Sequence, residues 1–138
     1  MIGIVIVTHG LFGNVLIDTA ETIIDNRLES VAAVSIDLKE HVEILRKKIN
    51  NGIKEVSHNE GVLILTDMFG GTPSNLSYSF LEEGKIEVIS GVNLPMLIKA
   101  VNLRQKKTDL HTTAKTTEAY GKKSISLASE LVKGNKRE

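Results

Sequence analysis

Length, charge and cysteine content bound the class of this protein. The 138 residues include 17 lysines and arginines against 17 aspartates and glutamates, and no cysteine, so that disulfides and thiol chemistry are excluded and a nucleic-acid binder held by phosphate attraction is disfavoured. No apolar run approaches the roughly 20 residues that span a bilayer, and we expect one cytoplasmic domain without membrane insertion.

The chain begins with an apolar, β-branched run over residues 2–7, followed by Thr8, His9 and Gly10. Such a run is typical of a strand that is buried on both faces of a parallel sheet. Ligands bind at the carboxyl edge of open α/β sheets. The sequence therefore predicts that the His9 imidazole lies at a ligand-binding edge.

The next elements alternate between helical and strand patterns. They are a helix over 11–25, a strand over 31–36, a helix over 39–57, a strand over 61–65, a helix over 73–84, a strand over 86–90 and a helix over 95–103. Asp37 is the expected cap of the second helix, and His41 a solvated residue in its first turns. Gly52 and the asparagines before it mark a point where that helix could break.

Four strands that alternate with helices predict an α/β three-layer sandwich with a mainly parallel sheet. By analogy with flavodoxin-like proteins we expect the strand order 2-1-3-4, which makes the first and third strands neighbours. The third strand ends at Asp67. In this order, His9 and Asp67 would lie side by side at the carboxyl edge.

The loop after Asp67 contains two glycines, a hydroxyl residue and a proline. Thr72 is predicted to be the N-cap of the next helix and Pro73 its first residue. Glycine-rich turns and helix N-termini supply backbone N–H groups to phosphates. The candidate phosphate-binding residues follow His9 and Asp67 in the sequence and are Gly10, Phe12, Gly13, Gly70, Gly71 and Thr72.

A histidine with a carboxylate on one ring nitrogen is a nucleophile whose other nitrogen is free near pH 7. Phosphoryl transfer to it needs positioning and donors for the phosphate oxygens. A histidine at a strand end is, taken alone, more often a solvated loop residue. The joint placement of His9 and Asp67 favours a catalytic pair.

The other histidines, at 41, 58 and 111, form no metal-ligand spacing with His9, and no nucleotide-binding motif is present. We therefore expect no metal and no cofactor. Residues 112–121 suit a helix. Residues 124–129 alternate like a strand, yet the spacing of the apolar residues there also suits a helix. We expect a single domain over 1–130 and a frayed tail over 131–138.

Three stretches, residues 4–10, 65–75 and 90–97, resemble the signature stretches of a known family. It is the mannose-family EIIA component of the bacterial phosphoenolpyruvate-dependent sugar phosphotransferase system. The resemblance covers residues 1–130 in order and spacing. It implies a homodimer, in which some family members exchange a C-terminal antiparallel edge strand, and residues 124–129 are the candidate for it.

The resemblance also implies a phosphotransferase that works through a phosphohistidine. His9 would accept a phosphoryl group on Nε2 from phospho-HPr and pass it to a histidine of EIIB, here expected to be a separate protein. Asp67 would hold Nδ1, and Thr72 would lie near the phosphate. Two alternatives are a phosphohistidine component that feeds dihydroxyacetone kinase and a regulatory binding module controlled by phosphorylation of His9.

Overall fold

The computed structural model describes residues 1–133, and it contains a four-stranded parallel sheet in the order β2-β1-β3-β4. The elements are β1 (Gly3–His9), α1 (Phe12–Ile24), β2 (Val31–Ile36), α2 (Val42–Val56), β3 (Val62–Thr66), α3 (Thr72–Tyr78), β4 (Ile86–Ser90), α4 (Leu94–Leu103), α5 (Leu110–Lys123) and α6 (Ala128–Val132). The predicted α/β three-layer sandwich and its strand order are confirmed. Within the described residues, every helix is too short or too polar to cross a membrane.

Strand β1 lies in the middle of the sheet and pairs with β2 on one side and β3 on the other. Its side chains alternate between two apolar cores. Ile4 and Ile6 pack in the core under α1, α4 and α5, and Val5 and Val7 pack in the core under α2 and α3. Full burial of one such side chain stabilises a fold by about 1.5 to 3 kcal/mol. The end of β1, where His9 lies, is therefore firmly anchored.

Helix α2 begins later than predicted, because residues 38–40 form a turn. Asp37 accepts the Lys39 amide through Oδ1 at 3.0 Å and does not cap the helix. The cap is His41, whose Nδ1 accepts the Glu43 amide at 3.4 Å. The interpretations of Asp37 as a cap and of His41 as a helical residue were wrong.

The helix also continues through Gly52 without a break. A Cβ atom there would lie 2.8 Å from Val34 Cγ2. The glycine thus lets α2 approach β2 closely, and the contact with the sheet holds the helix together at a residue of low helix propensity.

The boundaries of α3 differ from the prediction at both ends. Gly71, in an extended conformation, is the N-cap, and Thr72 is the first helical residue. The helix ends at Tyr78, since the amides of Ser79, Phe80 and Leu81 each donate to the carbonyl three residues earlier and tighten the chain into a turn. The Thr72 cap and the helical continuation to residue 84 were wrong.

The C-terminal part of the described chain is helical. Asp109 caps α5, accepting the Thr112 amide at 2.8 Å. Residues 124–129 form no strand within this single chain, and α6 begins at Ala128 and buries none of its residues. Residues 134–138 of the predicted tail lie outside the described residues. The division into a domain over 1–130 and a tail stays a prediction.

Candidate histidine–aspartate site

The structure brings His9 and Asp67 into direct contact at the carboxyl edge of the sheet. His9 is the last residue of β1, and Asp67 directly follows β3. His9 Nδ1 lies 2.8 Å from Asp67 Oδ2, and the backbone amide of His9 donates to the same oxygen at 2.8 Å. One carboxylate oxygen therefore fixes both the ring and the main chain of the histidine.

The environment keeps the Asp67 carboxyl ionised. Burial raises its pKa, but this is outweighed by the hydrogen bonds from the His9 amide and ring, by the charge of His9 and by the Met68 amide, so the net pKa lies below the ordinary value. An ionised carboxylate only accepts hydrogen bonds. The proton of the neutral imidazole must then be on Nδ1, which leaves the lone pair on Nε2.

The two side chains differ in their access to solvent. The His9 side chain is 38% exposed, whereas that of Asp67 is only 13% exposed. The carboxylate is thus largely buried, and the imidazole is open to a second molecule. This is the arrangement that a nucleophile with a buried orienting group requires.

The glycine-rich loop approaches the same ring. A Cβ atom on Gly71 would lie only 3.1 Å from His9 Cε1, the carbon between the two ring nitrogens. Gly70 adopts a φ of +88° and Gly10 a φ of +52°, and a Cβ on either would meet nothing within 4 Å. The backbone beside His9 therefore borders open space at both glycines, and Thr72 follows as the first residue of α3.

The segment around the start of α1 has fewer free backbone N–H groups for a phosphate than its sequence indicated. The Gly13 amide donates to the buried hydroxyl of Thr8 at 3.0 Å, and the Gly10 amide donates to Ile36 O at 3.3 Å. A Cβ on Gly13 would lie 3.2 Å from both Cγ2 and the carbonyl oxygen of Ile6. Gly13 thus has a packing role, and its N–H would serve a phosphate only by leaving Thr8. Sequence reasoning did not single out Thr8.

Large apolar side chains are exposed on the segments that follow His9 and Asp67. They are Leu11, Phe12, Val15, Met68 and Phe69; we call them the apolar rim. Sequence reasoning did not identify this rim, although its residues flank both motifs. Exposed apolar groups of this size mark surfaces that contact other macromolecules.

The remaining histidines lie in separate surroundings. His41 caps α2, His58 Nε2 lies 2.8 Å from Ser30 Oγ, and His111 Nδ1 lies 3.8 Å from Glu87 Oε2. Over residues 1–133, histidine, aspartate and glutamate side chains form no group of three or more that could hold a metal ion.

Fold and site together define an open α/β protein with an oriented, accessible histidine at its carboxyl edge. Residues 3–118 match the family described as "PTS system fructose IIA component". The chain therefore belongs to the mannose/fructose EIIA family of the phosphotransferase system (PTS), as its sequence motifs indicated.

Individual relatives agree with this assignment. The chain is 33% identical over 106 residues to the "PTS system fructose-specific EIIA component" of Bacillus subtilis, which covers 76% of this chain and 72% of that protein. It is 36% identical over 104 residues to the "PTS system mannose-specific EIIAB component" of Escherichia coli K12, covering 75% of this chain but only 32% of the longer protein.

The fold also matches solved structures. The crystal structure of an EIIA component from Streptococcus agalactiae superposes with a TM-score of 0.82 at 28% identity, covering 94% of this chain and 98% of that one. A mannose/sorbose-specific IIA subunit from Enterococcus faecalis has a TM-score of 0.79 at 22% identity, covering 91% and 93% of the two chains; this second likeness concerns the fold alone.

Proposed function

We propose that this protein is a cytoplasmic phosphocarrier that accepts a phosphoryl group from phospho-HPr on His9 and passes it to a histidine of an EIIB protein. The observation that carries the proposal is the 2.8 Å contact between His9 Nδ1 and Asp67 Oδ2. It orients the ring through Nδ1 and leaves Nε2 as the free nitrogen of a side chain that is 38% exposed. Family membership supplies the class of donor and acceptor.

In the first step, the lone pair of His9 Nε2 forms a bond to phosphorus. The bond between phosphorus and the donor breaks at the same time, and its electron pair leaves with the donor. The Nδ1 proton stays between the ring and Asp67, so the positive charge that develops on the ring faces a carboxylate. In the second step the acceptor attacks phosphorus and the electron pair returns to Nε2.

Candidate donors for the phosphate oxygens are the loop residues beside the ring. Gly70 borders open space, Gly71 lies close to the ring, since a Cβ there would be 3.1 Å from His9 Cε1, and Thr72 lies at the start of α3. Gly10 and Phe12 are weaker candidates on the opposite side, because the Gly10 amide is bonded to Ile36 O. Backbone amides aimed at the equatorial oxygens are what phosphoryl transfer asks of a protein.

The apolar rim supports a protein partner rather than a small molecule. Its exposed side chains follow His9 and Asp67 closely in the sequence. A free sugar or phosphate would leave such apolar area in water, whereas a protein surface would desolvate it. HPr as donor and EIIB as acceptor fit this requirement, and each must bring its own histidine to Nε2. The names of the curated relatives, specific for fructose or mannose, favour a role in sugar transport.

The test is transfer of radiolabelled phosphate from phospho-HPr. His9→Ala should accept none, while His58→Ala, a matched histidine substitution away from the site, should be labelled at the wild-type rate. Normal labelling of His9→Ala would end the proposal. Incubation of the labelled wild type with EIIB or with a dihydroxyacetone kinase component then identifies the acceptor, and label that reaches neither protein favours the regulatory module.

We further propose a homodimer in which a second copy covers the outer side of β4. This strand is at the edge of the sheet, beside a cleft of about 390 Å³ that β4 and α5 line together. Ile125, Leu127 and Val132 near the end of the described chain are exposed. An apolar C-terminal segment and an unpaired edge in one chain are complementary surfaces for a twofold partner.

Light scattering on the full chain and on Ile125→Lys/Leu127→Lys tests this dimer. The wild type should have twice the monomer mass and the variant the monomer mass. Leu38→Lys is the control, because Leu38 is exposed and follows β2, at the opposite edge of the sheet from β4. A monomeric wild type contradicts the dimer.

A further inference from the structure

The hydroxyl groups of Thr66, Ser90 and Tyr78, on three different elements, are joined by hydrogen bonds; we call them the hydroxyl chain. Thr66 Oγ1, at the end of β3, donates to Ser90 Oγ at 2.8 Å, and Ser90 Oγ, at the end of β4, lies 2.7 Å from the Tyr78 hydroxyl of α3. Thr66 is fully buried. The sequence motifs give no reason for these contacts, and the proposed chemistry does not use them.

The hydroxyl chain connects the end of β3, just before the loop of residues 68–71, with α3, the helix that follows the loop. At the β3 end, the carbonyl of Thr66 accepts the amides of Gly91 at 3.0 Å and Val92 at 2.9 Å. At the other end, Tyr78 is the last residue of α3, whose N-cap is Gly71. Because α3 is a helix of only seven residues, we expect a shift of Tyr78 to be passed along the helix to Gly71.

The middle of the loop also touches the tyrosine. The rings of Phe69 and Tyr78 are 6.4 Å apart between centroids and tilted by 46°. Phe69 is otherwise 78% exposed. An aromatic pair of this kind contributes about 0.5 to 1.5 kcal/mol beyond burial, so Tyr78 is a support for the exposed part of the loop as well as for its end.

We propose that Tyr78, anchored by Ser90, is a positioning residue that holds the loop of residues 68–71 against the His9 ring. The inference rests on the proposed function, because the loop is positioned for phosphoryl transfer at Nε2. Tyr78 touches neither His9 nor the phosphate. It acts through Gly71, which lies so close to the ring that a Cβ there would be 3.1 Å from His9 Cε1.

A positioning role and a purely structural role have different consequences. If the hydroxyl chain only supports the fold, its loss lowers the stability of the whole protein and leaves the transfer rate of the folded fraction unchanged. If it positions the loop, its loss reduces the maximal transfer rate, since small misplacements of reacting groups cost large rate factors. The concentration of phospho-HPr at half-maximal rate should change less than the maximal rate, because Leu11, Phe12 and Val15 of the apolar rim lie outside this loop.

The experiment uses single-turnover transfer from phospho-HPr, at a series of donor concentrations, and amide hydrogen exchange of residues 68–71. Tyr78→Phe keeps the ring contact with Phe69 but removes the hydroxyl. It should lower the maximal rate by about threefold or more and speed exchange in the loop. Ser90→Ala should also lower the maximal rate and speed exchange in the loop. The double variant should be no slower than either single one, because both substitutions break the same series of hydroxyl hydrogen bonds. Tyr120→Phe on α5 is the matched control and should behave like the wild type.

Wild-type rates in Tyr78→Phe, or unchanged loop exchange, overturn the inference. So does an additive loss in the double variant, since Tyr78 and Ser90 would then act separately. A wild-type chain that phospho-HPr does not label overturns the proposed function instead. The exchange measurement then still decides whether the tyrosine holds the loop.

Discussion

At the scale of single residues, the contact between His9 and Asp67 is the feature that could be predicted most directly from the sequence. Both residues end apolar runs that read as buried strands, and the strand order makes these runs neighbours. The contact of the Gly13 amide with Thr8 could not be predicted, because a hydroxyl that satisfies an amide in the next turn leaves no periodic signal.

Replacement of Asp67 by asparagine should destabilise the protein in a pH-dependent way. The folded-state pKa of Asp67 lies below its ordinary value of 3.8. Its ionic contribution is therefore fully present above that value and is lost as the pH falls through the folded pKa. We expect Asp67→Asn to cost about 1 kcal/mol at pH 7, since the amide keeps the neutral part of the bonds, and less at pH 3.

Urea unfolding of both proteins at the two pH values measures this difference. The same variant should fold and transfer phosphate slowly, because the tautomer of His9 is no longer fixed. A loss of stability that is equal at pH 7 and pH 3 would contradict an ionised Asp67.

Gly71→Ala isolates the spacing between the loop and the ring. The φ of Gly71 is −89°, which alanine adopts freely, so the added methyl has its effect through space, at 3.1 Å from His9 Cε1. We expect a stability within about 1 kcal/mol of the wild type and a clearly slower acceptance of phosphate from phospho-HPr. Asn75→Ala, at an exposed position of α3 outside the candidate phosphate-binding residues, is the comparison. Equal rates for Gly71→Ala and the wild type would show that the ring has room to move.

At the scale of elements, the periodicity of apolar residues predicted the four strands and the middle of helices α1 to α5, but not the helix ends, and it left α6 open between a strand and a helix. Helix α2 illustrates the reason. Its apolar residues recur from Val42 onward, but they do not show where the helix begins. That point is set by two local hydrogen bonds, one that holds the turn after Asp37 and one by which His41 caps the helix. Helix α3 ends early because Ser79 Oγ donates to Leu76 O, a bond that helical spacing alone does not reveal.

Gly52→Ala should destabilise the protein although alanine favours helices. The propensity gain is about 1 kcal/mol, but the new methyl would lie 2.8 Å from Val34 Cγ2, on a stiff β-branched side chain. Overpacking costs about 1 to 3 kcal/mol, so we expect a net loss of about 1 kcal/mol. Asn51→Ala, on the exposed side of the same turn, should instead be slightly stabilising. Thermal unfolding of the two variants decides, and a stabilised Gly52→Ala would mean that α2 can shift away from the sheet.

At the scale of the whole molecule, the three layers and the strand order were predictable because four apolar strands alternate with helices. Contacts between distant segments were not. Arg104, at the end of α4, donates to Ile2 O at 3.1 Å and Ser30 O at 3.3 Å through Nη1, and to Glu29 O through Nη2. It joins the C-terminal end of α4 to the residues just before β1 and β2, at the edge of the sheet opposite His9.

Arg104→Leu should lower the free energy of unfolding by about 2 kcal/mol, because three carbonyls lose a charged donor. Phosphate acceptance by His9 should be unchanged in the folded fraction. Arg104→Lys should restore only part of the stability, since one ammonium group does not reproduce the planar fork. Full recovery with lysine, measured by urea unfolding, would mean that charge alone accounts for the effect.

The main-chain bond between the His9 amide and Asp67 has a practical consequence. Any residue other than proline at position 9 still offers an N–H to that carboxylate, so the sheet edge keeps its shape when the imidazole is removed. Under the proposed function, His9→Gln would therefore be a competitive inhibitor. Added in excess to the wild-type protein, it would bind phospho-HPr without accepting a phosphoryl group, so that transfer of label to the acceptor would slow.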